Sequence, residues 1–352
     1  MEGHVRLSYR QQELHYDIRI NPSVFVDYDA RYRESGISTF NDWKLSADNS
    51  LQFGLEYRRL DPDYGDSEVN GGAGVDAITG FEIQDEFAAY LQLDHGFNDD
   101  LEFVGGLRFD SLSGIGSHFS PRLALLYHIT AEQTIKFLYG EAFKTPNFNE
   151  LFSESFLLVG NPDLEPELVK SFDLIWVGEF DKVHLQLGYF YSIVSDSISE
   201  TVSGGQRTFA NTAGDESFSG LEAEARYFFN ENWSLRAGGS HFFNQENHAF
   251  REAEYLAFAA VNYQKRKFNV NLSANYMGSK ERLEQGSTEL VDLDGYFDIN
   301  AKVLYYYSDD WEFFVQGKNL LNQHFKTPAQ GALENGVPNR GLEMSFGVKW
   351  KF

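Results

Sequence analysis

Carboxylates clustered in one acidic stretch are the side chains whose types and spacing most readily suggest chemistry. The stretch reads DPDYGDSEVNGGAGVD, residues 61–76, and it opens with Asp61, Asp63 and Asp66. Carboxylate oxygens are the ligands that Ca²⁺ prefers, but the order of these residues departs from that of an EF-hand loop. The stretch therefore predicts either a calcium site at these three aspartates or an acidic loop exposed to water.

Other catalytic and cofactor-binding patterns are missing from the sequence. The 9 histidines show no His-x-x-x-His or Glu-x-x-His spacing, so no zinc site of ordinary local spacing is predicted. The stretch GIGSHF, residues 114–119, lacks the third glycine of a dinucleotide fingerprint, and no Gly-x-Ser-x-Gly element occurs. With 0 cysteines, thiolate chemistry is also excluded. We therefore expect a protein that is not an enzyme and that has no cofactor.

Composition favours long β-strands and argues against nucleic acid as a partner. Lysine and arginine number 29 against 53 aspartates and glutamates, a net charge of −24 that repels phosphate backbones. Aromatic residues make up 16% of the chain, whereas there are only 8 prolines. Aromatic enrichment with little proline suits uninterrupted strands. No apolar run approaches the ~18 to 20 residues that a membrane helix needs.

Apolar and polar residues alternate in segments from one end of the chain to the other. Examples are LQFGLEY at 51–57, FDLIWVGEF at 172–180 and LEMSFGVKWKF at 342–352. A period of two predicts strands with one apolar and one polar face. The elements that must position any functional residue are therefore strands, and the chain is predicted to be all-β.

The connections between these segments alternate between tight turns and long loops. Long loops are predicted at residues 63–81, 144–168, 196–217, 280–294 and 326–341. This pattern predicts a transmembrane antiparallel up-and-down β-barrel of about 18 strands, with one plain end and one elaborated end. A soluble β-rich binding protein is the alternative. Long strands, aromatic residues near strand ends and the lack of an internal repeat favour the barrel.

One segment carries a resemblance to a known family. Residues 139–174 contain an aromatic-x-x-Pro element at Phe143 to Pro146, followed by Asn161-Pro162-Asp163-Leu164-Glu165-Pro166-Glu167. These elements, and the later stretches FANTAGDESFSGLEAEARY and GKNLLNQHF, resemble the TonB-dependent outer-membrane receptors in their order. The motif residues, which we expect to anchor a long loop, are Phe143, Pro146, Asn161, Pro162, Leu164, Pro166 and Glu167.

The resemblance implies a fold, a location and a set of partners. It implies that residues 1–352 form one barrel domain in the outer membrane of a Gram-negative bacterium. They would supply about 18 strands of a family pattern of about 22, without the plug, the coupling box or the first strands. The expected partners are outer-membrane lipid and lipopolysaccharide, the outer-membrane assembly machinery, and a small ligand such as a metal chelate. TonB is expected only if a plug is supplied elsewhere.

The resemblance also implies uptake of a scarce nutrient, most often a ferric siderophore. Ferric siderophores are commonly anionic, so the expected contacts are the loop arginines Arg207, Arg251, Arg282 and Arg340. Haem is disfavoured because residues 147–160 contain no histidine. A passive plugless porin-like channel and a non-functional receptor fragment remain alternatives.

The last strand resembles a sorting signal. Its alternating apolar residues end at Trp350 and Phe352. An aromatic carboxy-terminus of this kind resembles the signal by which the outer-membrane assembly machinery recognises its substrates.

Overall fold

The computed structural model describes residues 2–21, 24–69, 83–153, 158–244, 250–251, 253–283, 290–327 and 337–351. The first part of the chain runs β1 (Glu2–Asn21), β2 (Val24–Lys44), β3 (Asn49–Val69), β4 (Gln84–Asn98), β5 (Leu101–Leu112), β6 (Gly116–Thr130), β7 (Gln133–Lys144), α1 (Phe148–Phe152), β8 (Glu167–Glu179), β9 (Val183–Ser195), β10 (Ile198–Ser203) and β11 (Gln206–Asn211). The second part runs β12 (Glu216–Phe228), β13 (Trp233–Asn244), β14 (Phe250–Arg251), β15 (Tyr255–Lys265), β16 (Phe268–Met277), β17 (Lys280–Leu283), β18 (Leu290–Leu293), β19 (Tyr296–Tyr306), β20 (Trp311–Lys318), β21 (Lys326–Thr327), β22 (Val337–Pro338) and β23 (Glu343–Trp350). Within these ranges no helix is both long and apolar enough to cross a bilayer.

The principal sheet is a meander in which each strand pairs with the next long strand of the chain. Its 16 strands follow the order β1-β2-β3-β4-β5-β6-β7-β8-β9-β12-β13-β15-β16-β19-β20-β23. Counting the tight turns and long loops in the sequence predicts about 18 strands. The described principal sheet has 16, and its first three strands, β1, β2 and β3, are 20, 21 and 21 residues long.

The chain divides into two compact units. The first comprises Met1–Leu126, Leu138–Ser171 and Ile193–Glu216, and the second Tyr127–Phe137, Phe172–Ser192 and Ser217–Phe352. In the first unit, Leu55 of β3 lies opposite Ala89 of β4, which lies opposite Phe109 of β5. On the other face of the same strands, Arg58 lies opposite Glu86. The register therefore aligns apolar rows on one face and charged rows on the other, as the alternation predicts.

The second unit follows the same rule. Val261 of β15 lies opposite Leu272 of β16, which lies opposite Ala301 of β19. The polar row one residue along consists of Asn262, Asn271 and Lys302.

Large apolar side chains of the principal sheet point outward rather than into a core. Leu7 is 77% exposed and Phe346 is 87% exposed. Among the described residues no large side chain is fully buried, and the few buried apolar residues include Ala88, Leu151, Leu164 and Ala253. Soluble proteins rarely expose apolar surface on this scale, so the outward face requires an apolar solvent such as lipid.

A close approach between strands fixes the position of Gly54 in β3. A Cβ atom at this position would lie 2.2 Å from the carbonyl oxygen of Thr39 and 2.5 Å from the Tyr90 hydroxyl. Tyr90 of β4 is the register partner of Gly54, and its hydroxyl donates to the Thr39 oxygen at 3.4 Å. Only glycine leaves room for the tyrosine ring across this strand pair.

The connections differ at the two ends of the strands. One end, called the plain end below, has short connections at 45–48, 99–100, 131–132, 180–182, 229–232, 266–267 and 307–310. The other, the loop end, includes connections that contain small elements of their own. Helix α1 lies within the predicted loop 144–168, hairpin β10–β11 within 196–217, β17–β18 within 280–294 and β21–β22 within 326–341. The prediction of a loop from residue 63 is wrong as far as Val69, because β3 continues through this acidic segment.

Candidate functional site

The aromatic-x-x-Pro element leads the chain from β7 into helix α1. Pro146 is buried directly after the strand. Asn147 then caps the helix, since its side-chain oxygen accepts from the Glu150 amide at 3.1 Å and Glu150 Oε2 accepts from the Asn147 amide at 2.8 Å. This reciprocal capping box satisfies backbone donors at the start of a helix of only 5 residues.

The second motif element folds back onto α1 through Asn161. The Asn161 amide donates to the Glu150 oxygen at 2.8 Å, and Asn161 Oδ1 accepts from the Asp163 amide at 3.0 Å. This turn brackets Pro162, whose ring fixes the backbone. Leu164 follows and is only 7% exposed.

Hairpin β10–β11 is joined to the same motif by side-chain and backbone bonds. Asn161 Nδ2 donates to the Phe209 oxygen at 3.0 Å, and the Val159 amide donates to the Arg207 oxygen at 2.9 Å. Asn211 Oδ1 accepts a hydrogen bond from the Glu165 amide at 2.9 Å. Asn211 Nδ2 donates to the backbone oxygens of Glu165 and Asp196.

An ion pair links the two motif elements. Lys144 Nζ lies 3.0 Å from Glu167 Oε2 and 3.8 Å from Glu150 Oε1. The other Glu167 oxygen accepts from the Ile198 amide at 2.6 Å, which ties β8 to the start of the hairpin. We call residues 144–153, 158–167 and 196–211 the loop-end module. Through these bonds Asn161 and Glu167 join the motif to its neighbours, and the anchoring role of the seven motif residues stays a prediction.

A charged cavity of ≈ 560 Å³ lies in the same compact unit. Its charged lining consists of Arg6, Glu34, Glu56, Arg58, Glu86, Arg108 and Asp110. Arg58 Nε donates to Glu86 Oε2 at 2.7 Å, while Arg108 Nη2 lies 2.9 Å from both Glu56 Oε2 and Asp110 Oδ1. Cations and carboxylates therefore pair within β5 and between β3, β4 and β5, which gives a polar, wettable surface.

The candidate ligand arginines are divided between the two compact units, and Arg207 and Arg340 have described side chains. Arg207 of the hairpin forms a two-point ion pair with Glu200, in which Arg207 Nη2 lies 2.6 Å from Glu200 Oε2. This hydrogen bonding raises the pKa of Arg207 above its ordinary value, so the guanidinium stays charged and occupied. Arg340 lies 3.3 Å from Glu343 at the other end of the chain.

Arg251 and Arg282 lie on the paired strands β14 and β17, where Arg282 is opposite Phe250 and Arg251 opposite Glu281. Their side chains lie outside the described residues, and ligand contact by any of the four arginines stays a prediction.

The predicted calcium site is described only at its first residue. Asp61 Oδ2 lies 3.7 Å from Arg33 Nη1 on the neighbouring strand. The side chains of Asp63 and Asp66 lie outside the described residues. In the remainder that the structure describes, no group of three acidic or histidine side chains is arranged to hold a metal ion. The calcium site therefore stays a prediction.

Comparison with known proteins decides the family. The family model "TonB dependent receptor-like, beta-barrel" matches residues 3–320. The chain belongs to the TonB-dependent receptor family. This membership confirms the predicted transmembrane β-barrel fold and places the chain in the outer membrane of a Gram-negative bacterium. The plain end of a barrel in this family faces the periplasm, and the loop end faces the exterior.

This chain matches only part of each of its longer curated relatives. The vitamin B12 transporter BtuB of Vibrio cholerae is 26% identical over 260 residues, which are 70% of this chain and 39% of that protein. BtuB of Photobacterium profundum is 27% identical over 175 residues, 50% of this chain and 26% of that protein. The chain therefore spans well under two thirds of these relatives.

Solved structures share the fold at low identity. The siderophore receptor PirA of Acinetobacter baumannii has a TM-score of 0.75 at 17% identity. The aligned part is 98% of this chain and 62% of the PirA chain. The copper transporter OprC has a TM-score of 0.81 at 14% identity, and the aligned part is 99% of this chain and 64% of the OprC chain.

Several residues that organise the site carry no recognisable signal in the sequence. Asn211 is a single polar residue whose partner Glu165 lies 46 positions away, and Lys144 pairs with Glu167 of β8. The arginine–carboxylate pairs of the cavity likewise depend on strand register. In the sequence, only the alternation that places charged residues on the polar face of the strands indicates these pairs.

Proposed function

We propose that the chain forms the barrel of an outer-membrane transporter that captures a small nutrient at its loop end. The observation that carries this proposal is the loop-end module, in which both motif elements and hairpin β10–β11 are joined by the bonds of Lys144, Asn161 and Asn211. A fixed exterior platform suits ligand capture, because little ordering entropy is lost when a small molecule binds.

We infer that the ligand carries little net negative charge. The two candidate arginines with described side chains, Arg207 and Arg340, are already paired with glutamates. An anionic ferric siderophore would have to displace these partners. The curated relatives are vitamin B12 transporters. A vitamin B12-type ligand is therefore our first candidate, and a ferric siderophore is the second.

Binding to the detergent-solubilised chain tests the ligand class. Equilibrium dialysis against vitamin B12 and against ferric enterobactin should show retention of vitamin B12, with a heat-denatured sample as control. Retention of ferric enterobactin alone would reverse the order of the two candidates.

Planar-bilayer recordings separate transport from passive conduction. The charged cavity would line a conducting pathway if the chain were a porin-like channel. A receptor whose lumen is occupied by a plug should show no steady conductance. We propose that TonB-driven uptake by this barrel requires such a plug. Steady conductance without ligand binding would favour the passive channel, and neither activity would favour a non-functional fragment.

A further inference from the structure

The turn between β15 and β16 concentrates positive charge in an acidic chain. Lys265, Arg266 and Lys267 are consecutive and exposed, whereas the whole chain has a net charge of −24. Every other short connection at the plain end contains at least one carboxylate: Asp48, Asp99, Asp100, Glu132, Asp181, Glu231, Asp309 or Asp310. Among the short connections that the structure describes at the plain end, this turn is therefore the one that carries cations without a carboxylate.

The turn adjoins the apolar, aromatic face of the sheet. Lys265 lies opposite Phe268, and Phe268 lies opposite Tyr305 of β19. Tyr263 is two residues before Lys265 and therefore shares its face, and its ring lies 4.6 Å from that of Trp233. Aromatic residues at this level of a membrane barrel belong to the interfacial girdle, where lipid headgroups lie.

A cleft of ≈ 610 Å³ is formed at this junction. Its lining consists of the three cations of the turn together with Tyr263, Phe268, Val270 and Tyr305. The cleft thus has a charged rim toward water and an aromatic and aliphatic wall toward the membrane. This amphipathic division matches a molecule with an anionic head and an apolar tail.

The turn is held in place by its neighbours. The Gln264 amide donates to the Asn232 oxygen, and the Tyr306 amide donates to the Lys267 oxygen, both at 2.8 Å. Lys267 Nζ donates to the Tyr307 oxygen at 2.6 Å. Lys265 and Arg266 have no ion pair within the described part of the chain. The site is therefore organised before any ligand arrives, and two of its cations are available.

Arg266 occupies a backbone conformation that favours other residues. Its φ is +51°, in the left-handed region where glycine and asparagine are the usual choices for a hairpin turn. Arginine is less favourable than glycine or asparagine in this turn, and here it places a third cation beside the cleft.

We propose that this cationic turn and its cleft bind the headgroup of an anionic phospholipid in the membrane leaflet at the plain end. The phosphate would accept hydrogen bonds from Lys265 and Arg266, while the acyl chains would lie along Val270 and the outward face of β16. Charge complementarity selects the anionic lipid over a zwitterionic one. The proposal depends on the membrane setting of the family and is independent of the transported ligand.

Native mass spectrometry of the chain in a neutral detergent tests the proposal. Phosphatidylglycerol should be retained in preference to phosphatidylcholine. The triple variant Lys265→Gln, Arg266→Gln, Lys267→Gln should lose about tenfold or more of this preference. Equal preference in the triple variant would overturn the proposal. The matched control is Lys44→Gln, Lys182→Gln, Lys349→Gln, which makes the same change in charge at the plain end outside the cleft and should keep the preference.

A second variant guards against misfolding of the first. Arg266→Asn removes one cation and supplies a residue that tolerates the left-handed region, so folding should be retained while the lipid preference falls about threefold. Inorganic phosphate in excess should leave the bound phosphatidylglycerol in place. Displacement by inorganic phosphate would instead assign the site to free anions and overturn the lipid assignment.

Discussion

Lys144 is the residue on which the two motif elements of the loop-end module converge. Its ammonium group lies between the carboxylates of Glu150 and Glu167, whose side chains are only 12% and 16% exposed. Each carboxylate also accepts one backbone amide, and the Lys144 ammonium supplies the positive charge near both of them. The ion pair thereby links the two motif elements at the base of the long loop, in addition to the bonds of Asn161 and Asn211.

We predict that Lys144→Met loosens the module. Lys144 is 55% exposed, so solvent screening limits the loss to about 1 kcal/mol, or roughly fivefold in a local opening equilibrium. Hydrogen exchange at the Ile198 amide, which donates to Glu167, should become correspondingly faster. Lys170→Gln on β8, the strand of Glu167, is the control and should leave this exchange unchanged. Unaltered exchange in Lys144→Met would show that the pair does not hold the hairpin.

At the scale of elements, strand pairing depends on a few close approaches. Gly54 allows β2, β3 and the Tyr90 ring to meet, whereas Gly140 of β7 has no atom within 4 Å of an added Cβ. These two strand glycines therefore have opposite tolerances for a side chain.

We predict that Gly54→Val lowers the free energy of unfolding by about 1–3 kcal/mol, because the backbone of β2 must shift to admit the side chain. Gly140→Val should have a much smaller effect. Urea titration of the chain in detergent, followed by heat-modifiable electrophoretic mobility, measures both. Equal urea midpoints for the two variants would contradict the close approach at Gly54.

Strand identity was predictable from the sequence where alternation was clean, and register was not. The apolar set that begins at Leu51 predicts the outward face of β3 because the period is two. The continuation of β3 from Asp61 to Val69 was missed, because its aspartates and glycine favour a loop locally. Pairing across the sheet compensates there, since Asp61 lies opposite Arg33. Hairpin β10–β11 was likewise missed as an element, because its docking depends on Asn211 and its distant partner Glu165.

At the scale of the whole molecule, the outward apolar face requires a membrane. We predict that the chain expressed in a Gram-negative host stays in the membrane pellet after washing with carbonate or urea and is released by detergent. A periplasmic soluble protein washed in parallel should be released without detergent. Release of the chain without detergent would contradict the outward placement of side chains such as Leu7 and Phe346.

The last strand bears on assembly of the whole molecule. β23 pairs with β20, and the Trp350 ring lies 5.7 Å from that of Trp311. Phe352 lies outside the described residues, so its role as a sorting signal stays a prediction. Deletion of Phe352 should reduce the folded fraction in outer membranes without changing total synthesis, whereas Lys351→Gln should leave that fraction unchanged. Normal assembly of the deletion variant would refute the signal.

The tip of hairpin β10–β11 is a suitable position for a label that reports the orientation of the protein in living cells. Gly204 and Gly205 both have positive φ, and neither has an atom within 4 Å of an added Cβ. A short epitope inserted between them would meet no neighbouring side chain, and antibody staining of intact cells would then report which side of the membrane the hairpin faces. The turn at Arg266 and Lys267 would not accept such an insertion, because Lys267 is bonded to Tyr306 and Tyr307 of the adjacent hairpin.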